Sequence, residues 1–188
     1  GGFLNYSQLF CTFATEKTTE VMKHLLTTHN ICMRERYKNI TFSVMYESFT
    51  GGIVEKFNQG SQSKTEKYKN IEALKILANN GRKYRLLPVI QDGDKNPDAF
   101  NLLTHKYVDI KVAESTNGKN AIQSALKEAN KQEVSEVIIH FTQELESNRE
   151  AFDMLKATFK QKRAKNIKAI TFIMPDKRVL QVNTDQFK

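Results

Sequence analysis

The stretch that decides the fold is Asn96-Pro97-Asp98-Ala99-Phe100, followed after a short gap by Tyr107-Val108-Asp109-Ile110-Lys111. Asp92-Gly93-Asp94 ahead of it reads as a turn, and Pro97 opens a strand where a missing N–H is tolerated. The second segment reads as another strand, 107–112. Residues two apart on a strand share a face, so Asp109 and Lys111 project together. A hairpin between the two strands brings Asp98 to the same sheet edge. Two carboxylates and an ammonium then converge.

Working outward, Ser63-Lys64-Thr65-Glu66 has the form of a capping box. It opens a helix to about residue 80, with Ile71, Leu74, Leu77 and Ala78 as its apolar stripe and Gly81 as its stop. A strand is predicted at 85–90. Upstream, 41–46 alternates as a strand, and Gly51-Gly52 turns the chain into another at 53–57. Downstream come a helix at 117–131, a buried strand at 136–141 and a basic helix at 148–165. Strands 169–174 and 179–182 close the chain as a hairpin through Pro175-Asp176-Lys177-Arg178. Residues 1–40 read as a helical amino-terminal segment, with Thr18 or Thr19 as a cap. Helices alternating with short strands define the α/β class, a mixed β-sheet flanked by helices over residues 41–188.

Composition narrows the function. No apolar run approaches the ~18 residues of a membrane span. The first residues, Gly1-Gly2-Phe3-Leu4, have neither the basic start nor the apolar centre of a signal peptide. Cys11 and Cys32 lack a zinc-ligand spacing and read as buried thiols. The net charge is +8, and residues 61–188 carry 23 basic against 16 acidic side chains while residues 1–60 are nearly neutral. Such a field favours a polyanionic partner, with nucleic acid the first expectation. Lys119 and Lys131 beside the helix after the motif, and Lys160, Lys162 and Arg163 on the basic helix, are the candidate phosphate contacts. A solvated helix face is the plain alternative for each. His105 lies in the loop between the motif strands. His140 sits in an apolar strand and reads as a core or edge histidine.

Two carboxylates supply the hard oxygen ligands that Mg²⁺ takes while keeping several waters. Such an arrangement can activate water and neutralise charge on a phosphodiester, with the lysine adding a donor. Pro97-Asp98, ten intervening residues and Asp109-Ile110-Lys111 resemble the PD-(D/E)xK signature of restriction-endonuclease-like nucleases. The chain also resembles the tRNA-cleaving carboxy-terminal toxin domains of contact-dependent growth inhibition proteins. That likeness rests on Glu72-Ala73-Leu74-Lys75-Ile76-Leu77-Ala78-Asn79-Asn80-Gly81, on Leu86-Leu87-Pro88, and on Lys95-Asn96-Pro97-Asp98-Ala99. It runs on through Asp109-Ile110-Lys111, Lys119-Asn120-Ala121-Ile122-Gln123 and Asn166-Ile167-Lys168-Ala169-Ile170, covering roughly residues 50 to 182.

The resemblance implies a restriction-endonuclease-like sheet, with Asp98, Asp109 and Lys111 catalytic and the two aspartates binding Mg²⁺. It further implies a toxin endoribonuclease cutting tRNA, delivered from outside into the cytoplasm of a target bacterium. A cognate immunity protein, acidic where it binds, would protect the producer. These nucleases usually carry an acid on the first helix, where the corresponding position here is Asn70. Glu66, bordering the apolar stripe, and Glu72, favoured by local likeness, are the two candidates to replace it. Three other functions fit the same residues: a DNA endonuclease of this fold, a metal-free toxin ribonuclease, and a non-catalytic nucleic-acid-binding domain of a mobile-element protein.

Overall fold

The structure is a computed structural model and describes residues 33–187. The chain divides between Asn39 and Ile40. Before that division the described residues hold one short 3-10 turn, Glu35–Tyr37. The expected helix capped by Thr18 or Thr19, and both cysteines, lie outside the described residues.

From Ile40 onward, eight strands form one sheet whose spatial order follows the sequence. They are β1 (Phe42–Glu47), β2 (Ile53–Phe57), β3 (Lys83–Leu86), β4 (Ala99–Asn101), β5 (Lys106–Ala113), β6 (Glu136–Phe141), β7 (Ala169–Ile173) and β8 (Val179–Asn183). Pairing is parallel for β2–β3, β5–β6 and β6–β7 and antiparallel elsewhere, so the sheet is mixed. Each parallel step crosses over through a helix: α1 (Lys64–Ala78), α2 (Gly118–Gln132) and α3 (Asn148–Lys160). This is the α/β class, and among the described residues no helix is long and apolar enough to cross a membrane.

The period-two alternation of the strands sorts their side chains between two cores. Val54, Val108, Ile110 and Ile138 pack with Ala73, Leu74 and Leu77 of α1. Val137, Ile139, Phe141 and Phe172 pack with Ile122 and Leu126 of α2 and Leu155 and Phe159 of α3. Helices therefore cover both faces, with α1 on one and α2 and α3 on the other. Gly118 opens α2 where it meets α3: a Cβ there would lie 2.9 Å from the Ala151 Cβ and 2.8 Å from Leu145. Any larger residue would push the two helices apart.

Two elements end earlier than their sequence suggests. The strand expected at 85–90 runs instead over Lys83–Leu86: the Leu87 N–H still donates to the Asp98 carbonyl, Pro88 cannot extend the ladder, and Val89 makes an isolated bridge to Ser61. The basic helix expected to reach residue 165 stops at Lys160. Lys162 takes a left-handed conformation (φ 56°), the Lys162 N–H donates to the Phe159 carbonyl, and the Arg163 N–H donates to the Thr158 carbonyl. This is a Schellman stop with lysine where glycine usually stands, so no glycine announces it. At the end of α1 the same motif does use glycine, Gly81 at φ 78°.

Candidate active site

The site begins where the β4–β5 ladder fails. β4 is three residues long and β5 is eight, so β5 extends past its partner. The Asp98 N–H still donates to the Val108 carbonyl at 3.0 Å, and then Pro97 leads the chain away. The next β5 donor on that side, the Ile110 N–H, would be orphaned inside the protein. Asp98 Oδ2 accepts it at 2.7 Å, so a side chain finishes the ladder. The loop that delivers Asp98 is clipped by Asn96, whose amide accepts from the Ile90 N–H at 2.9 Å and donates to its carbonyl at 3.2 Å.

Asp109 and Lys111 lie on the face of β5 covered by α2, as the alternation requires. Asp98 and Asp109 are both buried, each 8% exposed, and their carboxyl groups hydrogen-bond to one another. Burial pushes Asp98 well above the usual carboxylate range, and the charge of Asp109 pushes it the same way. Burial pushes Asp109 up to about 6. The bond from Asp98 and the charge of Lys111 oppose that rise, while Glu128 and Glu66 add to it. Two like charges this close in a dry site cannot both be ionised cheaply, which favours a proton or a cation shared between them.

Lys111 is half-buried and donates to Glu128 Oε2 at 2.6 Å. In the sequence Glu128 does not stand out. Its one signal, Ser124 and Glu128 one turn apart on α2, looks like any solvated helix flank. The lysine bond lowers the Glu128 pKa. The ammonium is thereby parked beside Asp109 by a carboxylate on the neighbouring helix.

On the α1 side, Asn70 is buried and donates to Asp98 Oδ1 at 3.4 Å. The position where an acid was expected thus touches the site through an amide. Of the two glutamates, Glu66 is the one whose charge acts on both aspartates; its N–H donates to Ser63 Oγ and its carboxylate accepts from the Ser63 hydroxyl, so Ser63 caps α1. Glu72 lies elsewhere, in a cleft with Tyr46, Lys75 and Lys177, and its charge is felt by buried His140. As a partner for Asp98 and Asp109, Glu72 is corrected by this placement, because it projects from a different side of α1.

The basic candidates separate in the same way. Lys131 and Arg163 line one groove between α2 and α3, together with Lys127. Lys119 is exposed in the first turn of α2, and Lys160 and Lys162 sit exposed at the end of α3, outside that groove.

Among the described residues no group of three or more His, Cys, Asp or Glu could cage a metal ion. A hard cation that retains its waters needs only one or two carboxylates, and the buried pair Asp98–Asp109 is a donor set of that kind. His105, at φ 56°, stacks against Phe100 at the hairpin.

No family model matches this chain, and no curated protein matches it. Among solved structures the chain is similar to a CdiA-CT/CdiI toxin and immunity complex from Burkholderia pseudomallei. The identity is 15%, the TM-score is 0.49, and the match covers 65% of this chain and 89% of that one. At that level the likeness decides nothing about chemistry.

Proposed function

We propose that the protein is a metal-dependent nuclease of the PD-(D/E)xK type that cleaves RNA. One observation carries this reading: two buried carboxyl groups, Asp98 and Asp109, share a hydrogen bond beside the ammonium of Lys111. A buried acid pair destabilises the fold unless something positive or a proton sits between its oxygens, so a functional cation is the physical reason to retain it.

The roles follow from the bonds. Ile110 N–H and Asn70 hold Asp98 from two sides and fix its carboxylate plane. Asp109 faces it from β5. Lys111 can leave Glu128 and donate to a non-bridging phosphate oxygen, where negative charge grows as the phosphodiester is attacked. Glu66, at the exposed start of α1, adds negative potential on the open side. Asp98 and Asp109 would hold Mg²⁺, which supplies charge neutralisation on the phosphate and makes a water more acidic.

Action as a toxin on tRNA in a target bacterium, with a cognate immunity protein as partner, is supported by the sequence resemblance over residues 50 to 182. The basic balance of residues 61–188 supports a polyanionic substrate. The test is incubation of the purified chain with total RNA and with duplex DNA, each with Mg²⁺ and with chelator. RNA cleaved only with Mg²⁺ is the expected result. DNA cleaved instead would replace the substrate, and RNA cleaved in chelator would replace the mechanism.

A further inference from the structure

We propose that the groove between α2 and α3 is a second phosphate site, which holds the nucleic-acid backbone one helix-width away from the Asp98–Asp109 centre. The proposal rests on the nuclease reading for what lies at that centre, and its own observations are separate.

The groove has a volume of about 420 Å³ and is lined by Gln123, Lys127, Asn130, Lys131, Thr158 and Arg163. Its α2 wall follows from helical spacing, since residues 123, 127, 130 and 131 fall at i, i+4, i+7 and i+8. The α3 wall depends on the early stop of that helix. The left-handed Lys162 folds the chain back so that Arg163 reaches the groove; a helix continuing to residue 165 would have carried it onward.

Three cations thus converge with two side-chain amides, and no carboxylate lines the groove. Among the described residues, Lys69, Lys95 and Lys111 each sit in an ion pair, whereas Lys127, Lys131 and Arg163 do not. Like charges crowded into one groove repel, and a polyanion relieves that repulsion while releasing its own counter-ions. Arg163 adds a planar fork suited to two phosphate oxygens.

Position ties the groove to the centre. Glu128, which holds Lys111, is on the flank of α2 facing β5, and Lys131 is close enough for its charge to act on Glu128. Lys127 and Lys131 therefore stand on the crest between the centre and the groove. A helix with its side chains is about 10–12 Å across. A strand crossing that crest meets a cation at each step.

The experiment measures affinity for a labelled single-stranded RNA of mixed sequence, and for DNA of the same sequence, in chelator and at several salt concentrations. The variant Lys131→Ala/Arg163→Ala removes one cation from each wall. Lys75→Ala/Lys177→Ala removes the same charge from the cleft beside Glu72. The groove variant should bind at least tenfold more weakly at low salt, with a log–log salt slope shallower by about 1.4, as two lost contacts on a single strand require. The comparison variant should keep nearly the wild-type slope. Equal losses in both variants, or no loss in the groove variant, would overturn the proposal. Binding is read without cleavage, so the groove stands if these shifts occur in a protein that never cuts RNA. It falls if they are absent from one that does.

Discussion

Asp109, buried beside Asp98, ties the proposed cation site to the stability of the fold. Its pKa rises from 3.8 to about 6 mainly through burial, so the folded, metal-free state holds a proton more tightly than the unfolded chain. The sign follows: this group favours folding below about pH 4, and that contribution is lost as the pH rises through about 6. Asp109→Asn should therefore stabilise chelator-treated protein at pH 7 by about 1–3 kcal/mol, and the gain should vanish near pH 4. Denaturant melts of both proteins at the two pH values measure it; a loss of stability at pH 7 would mark Asp109 as an ordinary structural aspartate. At Asn70 the charge runs the other way. Asn70→Asp places a third carboxyl against Asp98, so the chelated protein should melt several degrees lower, with Mg²⁺ restoring much of the loss. Thermal melts with and without Mg²⁺ decide it, and equal melting in both conditions would argue against cation binding here. At this scale Asp98, Asp109 and Lys111 were legible because alternation along β5 and one hairpin suffice to bring them together. Glu128 was not, since its role depends on how α2 lies across the sheet. Glu66 and Glu72 could be told apart only once the angle of α1 was known.

Among the elements, the sequence marked interiors well and endings less well. Helix α1 was bounded by two explicit signals, Ser63 with Glu66 at one end and Gly81 at the other, and both act as read. The end of α3 carried no such signal, because a lysine occupies the left-handed position. That makes Lys162 a test of its own. Lys162→Gly removes a Cβ clash and should stabilise the fold by about 1 kcal/mol, measured by denaturant unfolding. A decrease in stability would mean that the Lys162 side chain, not the backbone turn, holds the end of α3. β3 was displaced for a related reason: the apolar run through Leu86-Leu87-Pro88-Val89 resembles a strand, but its proline ends the ladder. β4 is short because Pro97 precedes it, and that shortness is what leaves Ile110 N–H for Asp98 to accept.

Across the whole molecule, charge and topology reinforce one another. The sheet runs in sequence order from β1 to β8, so the motif strands lie at its middle, with α1 on one face and α2 and α3 on the other. The carboxyl pair sits where the sheet parts between β4 and β5, reachable by side chains from both layers. The basic excess of residues 61–188 surrounds that point in sequence, and Lys127, Lys131 and Arg163 gather into one groove. In the proposed function, Asp98 and Asp109 hold the cation with which a phosphodiester is cleaved. The direct test compares wild-type protein and Asp109→Asn on total RNA, each with Mg²⁺ and with excess chelator, after cooperative melts have shown both to be folded at the assay temperature. Cleavage by the wild-type protein in Mg²⁺ alone, with a loss of at least a hundredfold in Asp109→Asn, is the expected result. Full cleavage by Asp109→Asn, or wild-type cleavage undiminished in chelator, would contradict it.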